Sequence, residues 1–299
     1  MRPSRRTIVG ALGASFLLPA CAGAAAARES DALATLETKS GGRLGVAILD
    51  TGTERIVGHR AAERFGMCST FKLPLAAVIL AEIDAGRMRA DQWVPYGPAD
   101  MVPVHPVTGP NLPKGGMPLI ALAEGAQKTS DNVAANLMLR LLGGPAGFTT
   151  KLRTMGDNVT RLDRFEPSMN LVMPGEFHDT TTPEAMARLV GRLVTANPLT
   201  PASRNLLIAW MVDTKTGLKR IRAGLPAEWR SGDKTGTAAD DRPNGMVNKY
   251  NDVAIAFPPD RAPIVIASYL DAAAHFDSIR PEDEAILAEV GRIATRIVA

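Results

Sequence analysis

The sequence predicts an α+β sandwich: an antiparallel sheet built from both chain ends, flanked by helices, with an all-α domain inserted between its strands. Three observations carry this. Short apolar, β-branched runs bounded by turn residues occur near the start and near the end of the chain. Apolar residues at helical spacing fill the middle. A last helical pattern follows the late strands.

In chain order, Leu44 to Leu49 and Glu54 to Val57 read as strands joined by the hairpin signal Asp50-Thr51-Gly52-Thr53. Phe71, Leu75, Val78, Ile79 and Ile83 mark one face of a helix that stops at Gly86. Asn132 to Leu142 is a second helix, ended by Gly143-Gly144. Thr182-Pro183 and Thr200-Pro201 each set an N-cap before a first-turn proline and so start two more helices. Asp252 to Phe257 and Ile264 to Leu270 are late strands turned by Pro258-Pro259-Asp260. Ile286, Val290, Ile293 and Ile297 recur at helical spacing, with Glu282, Asp283 and Glu284 at the positive end of that helix. The stretch from about 86 to 129, rich in Pro and Gly, has no period and stays unassigned. The expected units are a sheet domain (28–60 and 214–299) and a helical domain (61–213) that includes a loop over 164–179.

Residues 1–27 read as an export signal. Arg5-Arg6 precedes an apolar run from Ile8 to Ala20 that is too short for a permanent membrane helix, and the pair resembles a twin-arginine signal. Two ends of the leader stay open: ordinary cleavage within Ala22 to Ala27, or lipidation at Cys21 after Leu18-Pro19-Ala20. Either places the protein outside the cytoplasm, in the periplasm, with Cys21 as lipid anchor in the second case.

Arg2, Arg5 and Arg6 also account for the whole excess of Lys+Arg (34) over Asp+Glu (31), so the rest of the chain is neutral. A neutral body argues against a nucleic-acid partner. Two cysteines make no disulfide scaffold, and His59, His105, His178 and His275 lack metal-ligand spacing, so neither metal nor cofactor is implied. Nothing suggests an obligate protein partner; a monomer is expected.

The chemistry lies in short motifs. Ser69-Thr70-Phe71-Lys72 opens the first middle helix, where positions i and i+3 share a face and bring a hydroxyl to an amine that can take its proton. Alone this is weak, since about one S-x-x-K arises by chance in such a chain; Ser231 to Lys234 is another. Ser130-Asp131-Asn132 precedes the second helix, either as a cap or as a proton relay (Ser130) beside an amide-holding side chain (Asn132). Lys234-Thr235-Gly236-Thr237 suits a carboxylate lying along a strand edge. Lys215-Thr216-Gly217 repeats the tripeptide, but only the later copy sits where a sheet strand can face the helices.

With Glu166-Pro167-Ser168-Met169-Asn170 between the second and third motifs, the ordered set resembles the class A serine β-lactamases over roughly residues 30 to 299. The resemblance implies a serine β-lactamase/transpeptidase-like fold and a set of roles. Ser69 attacks the lactam carbonyl, with the backbone N–H groups of Ser69 and Thr237 as oxyanion hole. Lys72 transfers protons, Ser130 protonates the leaving nitrogen, and Asn132 orients the substrate amide. Glu166 and Asn170 activate the water that releases the product; either Lys72 or Glu166 starts acylation. Lys234, Thr235 and Thr237 hold the substrate carboxylate, with Arg220 in support and Thr216 on the same stretch. Arg164 and Asp179 match the ion pair that closes the family's loop around Glu166, whose bond to Pro167 is expected to be cis.

The chain departs from the family pattern in places. Cys68 has no partner after Lys234 to Thr237, where Ala238 and Ala239 stand, so it reads as a small buried apolar residue. Arg220 and Thr237 point toward carbapenem turnover and the missing disulfide points away. In place of an aromatic gate stand Val104 and His105. Two other readings use the same serine: a penicillin-binding D-Ala-D-Ala carboxypeptidase or transpeptidase, and a β-lactam sensor that stays acylated. Glu166 with Asn170 separates hydrolysis from both, because release needs a base within reach of the incoming water.

Overall fold

The computed structural model describes residues 18–196, 198–238, 249–276 and 278–298, with the backbone alone for 18–26 and 298. Arg5-Arg6, the Cys21 side chain and Ala239 lie outside the described residues. Helix α1 (Leu18–Ser40) leads into the hairpin of β1 (Arg43–Asp50) and β2 (Ile56–His59). A short strand β3 (Phe65–Gly66) and a 3-10 turn (Cys68–Phe71) deliver the chain to α2 (Lys72–Asp84). Then come β4 (Trp93–Pro95), α3 (Thr108–Asn111), β5 (Gly116–Pro118), α4 (Leu119–Thr129), α5 (Asn132–Leu141) and α6 (Gly144–Thr154). A long loop reaches β6 (Thr180–Thr181), followed by α7 (Pro183–Thr195) and α8 (Pro201–Asp213). The late strands β7 (Arg230–Ala238), β8 (Lys249–Phe257) and β9 (Ile264–Asp271) precede α9 (Pro281–Val298).

The main sheet has the order β2-β1-β9-β8-β7, antiparallel throughout, so the two chain ends meet where β1 pairs with β9 and Ala47 faces Ala267. Successive side chains point to opposite faces. Leu44, Val46 and Ile48 enter a core with α1 and α9, while Ala47 and Leu49 enter the core shared with the helical part. The sheet is therefore covered on both faces, as an α+β sandwich requires. No helix among the described residues is long and apolar enough to cross a membrane.

Several expectations are corrected. The second strand starts at Ile56, not Glu54, because Glu54 sits in the turn at φ 58 and Asp50 Oδ1 accepts from Gly52 N at 2.8 Å. Helix α2 is buried all round rather than on one face, since it is the central helix of the helical part. Ser69 lies in the 3-10 turn before α2, not in its first α-turn. Gly143-Gly144 is a junction: at φ 86 and 83 the pair ends one helix and starts α6. The unassigned stretch holds α4.

Ion pairs tie α1 to the sheet. Glu37 accepts from Arg60 at 2.6 Å, Leu44 N–H at 2.9 Å and His59 at 2.9 Å. Burial alone would raise this carboxyl; those hydrogen bonds and the Arg60 charge outweigh it and hold it at about 2, below its ordinary 4.5. A depressed carboxyl stabilises the fold above pH 4.5, and that contribution fades as pH falls toward 2. Urea unfolding should find Glu37→Gln less stable than the parent by about 2 kcal/mol at pH 6, with the gap closing by pH 2. A gap independent of pH would contradict this.

Candidate active site

Strand β3 feeds the Ser69 turn, and strand β7 lies directly against it. A Cβ on Gly236 would stand 2.8 Å from Met67 O and 3.1 Å from Ser69 N, so only glycine lets the strand approach this closely. Cys68, at φ 46, turns the chain into α2 and is fully buried beside the serine. Burial pushes its thiol up to about 12, which fits an inert core residue.

One helical turn later, Lys72 Nζ lies 2.9 Å from Ser69 Oγ, 3.0 Å from Ser130 O, 2.5 Å from Asn132 Oδ1 and 2.9 Å from Glu166 Oε1. An ammonium has only three protons. With Ser130 Oγ at 3.4 Å, five acceptors compete for them, so the network can pass a proton with little rearrangement. Lys72 and Glu166 side chains are both fully buried. Leu73, Leu75, Val78, Ile79 and Leu80 on α2 are buried too, each contributing about 1.5–3 kcal/mol. Together they offset the several kcal/mol that burying an ion costs.

Ser69 Oγ also reaches Glu166 Oε1 at 3.4 Å, and Asn170 Nδ2 donates to the other carboxylate oxygen at 2.6 Å. The Glu166 backbone is clamped by Asn136, whose Nδ2 donates to Glu166 O and whose Oδ1 accepts from Glu166 N, both at 2.9 Å. The Glu166-Pro167 peptide is cis, as expected. Asp179, fully buried, closes the loop: its carboxylate accepts from Asp163 N (2.7 Å), Arg164 N (3.0 Å) and Arg164 Nε (2.5 Å). Sequence reading missed Asn136, although a lone Asn four residues after Asn132 in an apolar helix was a usable signal.

Ser130 ends α4 in the left-handed region (φ 63), which turns its hydroxyl toward both lysines, 3.4 Å from Lys72 Nζ and 3.1 Å from Lys234 Nζ. The cap of α5 is Asp131, which accepts from Ala134 N at 2.9 Å and also from Val107 N and Thr108 N. That buried carboxylate fixes the adjoining loop, where Pro103 O accepts from Asn132 Nδ2 and Val104 O from Asn132 N, both at 2.8 Å. Val104, at φ 65 and 55% exposed, stands at the cleft; His105 does not line it.

Opposite runs β7. Lys234, fully buried, donates to Thr235 O at 2.8 Å. Burial, then the Lys72 charge, lowers its ammonium from 10.5 to about 7. Thr235 Oγ1 meets Thr216 Oγ1 at 2.8 Å. Arg220, 2% exposed, donates to Thr237 Oγ1 (2.7 Å), Gly236 O (3.0 Å), Asn251 O (2.8 Å) and Glu284 Oε1 (3.2 Å). Glu284, from the first turn of α9, is a second residue that sequence reading missed. Beneath the strand, burial raises Asp233 to about 6, and burial together with the Asp233 charge raises Asp252 well above the ordinary carboxylate range. Ser69, Ser130, Asn132, Asn170, Thr216, Arg220, Thr235 and Thr237 line a cleft of about 730 Å³, and Lys72, Glu166 and Lys234 stand behind it in contact with Ser69 or Ser130.

Residues 28–298 match the Beta-lactamase enzyme family. The chain is 46% identical to β-lactamase AST-1 of Nocardia asteroides, over 87% of this chain and 80% of that protein. It is 41% identical to a β-lactamase of Streptomyces albus G, over 98% and 96%. An ancestral class A β-lactamase superposes with TM-score 0.83 at 50% identity, covering 89% of this chain and 98% of that one. A β-lactamase from Burkholderia vietnamiensis gives 0.82 at 45%, covering 89% and 94%. Fold, cleft and relatives agree: this chain belongs to the class A β-lactamases.

Proposed function

We propose that the enzyme hydrolyses penicillins and cephalosporins through an acyl-enzyme on Ser69, released by water that Glu166 activates, and so protects its host from these antibiotics. The observation that carries this is Ser69 Oγ flanked by Lys72 Nζ at 2.9 Å and Glu166 Oε1 at 3.4 Å, with Asn170 on the other carboxylate oxygen. Ser69 attacks the lactam carbonyl while its proton passes to the Lys72–Glu166 pair. Backbone N–H groups of Ser69 and Thr237 receive the developing oxyanion. Ser130, hydrogen-bonded to Lys234, gives the lactam nitrogen its proton. Lys234, Thr235, Thr216, Thr237 and Arg220 form the carboxylate subsite, and Asn132 takes the side-chain amide. Glu166 then deprotonates the water held with Asn170, and the ester bond to Ser69 breaks.

In this reading residues 1–27 export the protein to the periplasm as a monomer, with Cys21 a lipid anchor if cleavage falls before it. The seam between a sheet domain (28–60, 214–299) and a helical domain (61–213) forms the cleft. The direct test is hydrolysis of a chromogenic cephalosporin. Many turnovers per enzyme support the reading; a stop after one equivalent supports a penicillin-binding enzyme or a sensor.

A further expectation concerns Asp179. Its charge holds Arg164 and two backbone N–H groups at the mouth of the Glu166 loop. Asp179→Asn should slow deacylation about 10- to 100-fold through displacement of Glu166, with acylation less affected. An unchanged deacylation rate in stopped flow would contradict this.

A further inference from the structure

The loop that carries Glu166 and Asn170 has a second side. Its return limb arches over the end of the main sheet and borders a half-open cavity of about 770 Å³, separate from the catalytic cleft and well within the size of small-molecule sites. Phe65 and Val172 form buried walls, whereas Met173 and Phe177 on the limb are 41% and 63% exposed. Large apolar side chains left exposed around a concavity mark a binding surface more often than a solvent face.

The charges around it indicate the ligand. Each carboxylate lining the cavity is already engaged. Glu63 accepts from Arg43 at 2.8 Å and from Arg60 at 3.0 Å. Asp271 accepts from Lys249 at 2.6 Å and from Arg43 at 3.2 Å, and Glu176 accepts from Met173 N at 2.9 Å. Arg64 differs: it donates to the neutral acceptors Thr180 Oγ1 (3.0 Å) and Val159 O (3.2 Å), with no carboxylate within 4 Å among the described residues. Its guanidinium stands 5.5 Å from the Phe177 ring centre, and that of Arg43 lies 3.8 Å from the Phe65 ring centre. Arg43 and Tyr269 cover the two faces of Phe65, which leaves the exposed Phe177 ring beside Arg64. The Asp157 and Asp163 charges act on Arg64 at longer range and Arg153 and Arg161 oppose them. A ring beside a guanidinium with no carboxylate in direct contact suits a flat apolar body bearing a negative charge.

The walls lead to the chemistry. Phe65 and Gly66 continue through Met67, whose N–H donates to Asp179 O at 3.0 Å, into the Ser69 turn. Asn251 holds Gly66 O and Met67 O at 2.9 and 3.0 Å. Val172 lies two residues beyond Asn170.

We infer that this cavity is an effector site for a small aromatic monocarboxylate, its ring against the exposed Phe177 and its carboxylate on Arg64, and that filling it slows release of the acyl-enzyme. The binding half stands on the cavity alone; the kinetic half rests on the proposed function. The probe is 2-naphthoate added to the full chain, with 2-naphthamide as the uncharged arm. Calorimetry should show binding of 2-naphthoate, about tenfold weaker binding of the amide, and about tenfold weaker binding of 2-naphthoate to Arg64→Gln and to Phe177→Ser. Phe177 is exposed, so Phe177→Ser keeps the test valid if Arg64→Gln folds poorly. In cephalosporin hydrolysis the probe should lower kcat several-fold without raising KM, and the Phe177→Ser enzyme should escape this while keeping its basal kcat. No binding, unchanged binding to Phe177→Ser, equal binding of the amide, or a rise in KM alone (the probe in the catalytic cleft) would each overturn the inference. Binding that Phe177→Ser abolishes, in a protein that turns over no cephalosporin, would keep the site and reject the hydrolase reading instead.

Discussion

Glu166→Gln is expected to form product for about one equivalent and then stop. The substitution keeps the shape of the side chain and its contact with Asn170 but removes the carboxylate base that faces Ser69 and Lys72. A positioned general base contributes about 10²- to 10⁴-fold. Deacylation should fall by that factor, while acylation falls less because Lys72 remains 2.9 Å from Ser69 Oγ. A rapid-mixing burst of one chromophore per enzyme, followed by a slow steady state, is the expected trace. A variant with parental steady-state turnover would remove Glu166 from the mechanism.

Lys72→Met is expected to cost both activity and stability. The ammonium serves Ser69, Ser130, Asn132 and Glu166, so acylation should drop about 10²- to 10⁴-fold. Because both members of the Lys72–Glu166 pair are fully buried, removing one leaves a charge without its partner, which costs about 3–5 kcal/mol. The double variant Lys72→Met with Glu166→Leu removes that orphaned charge. It should recover much of the lost stability in urea unfolding and none of the activity. If the single and double variants unfold alike, the pair does not act as a buried ion pair.

These groups differ in how far they can be read from the sequence. The two-ended sheet was legible because β1, β8 and β9 carry apolar runs bounded by turns, and both faces of the sheet are buried. Helix α4 was not, because Pro118 precedes it, Gly125 interrupts it, and its partner α2 lies far back in the chain. Ser69, Lys72, Ser130, Asn132, Glu166, Lys234 and Thr235 were legible because their spacing follows local geometry or an ordered motif. Asn136 and Glu284 act through tertiary contact, the one on the Glu166 backbone and the other on Arg220; the spacing of Asn136 from Asn132 hinted at the first, and no local pattern announces the second. Glu54 was misplaced because a left-handed turn residue overrode a strand-like run.

The acyl-enzyme on Ser69 is tested by peptide mapping by mass spectrometry after a penicillin is mixed with the parent and with Glu166→Gln and the reaction is quenched. An adduct of the full penicillin mass is expected on the Ser69 peptide of Glu166→Gln, persisting long after the parent has turned its substrate over and lost the adduct. An adduct on another residue, or product formed by the parent with no adduct trapped in the variant, would contradict it.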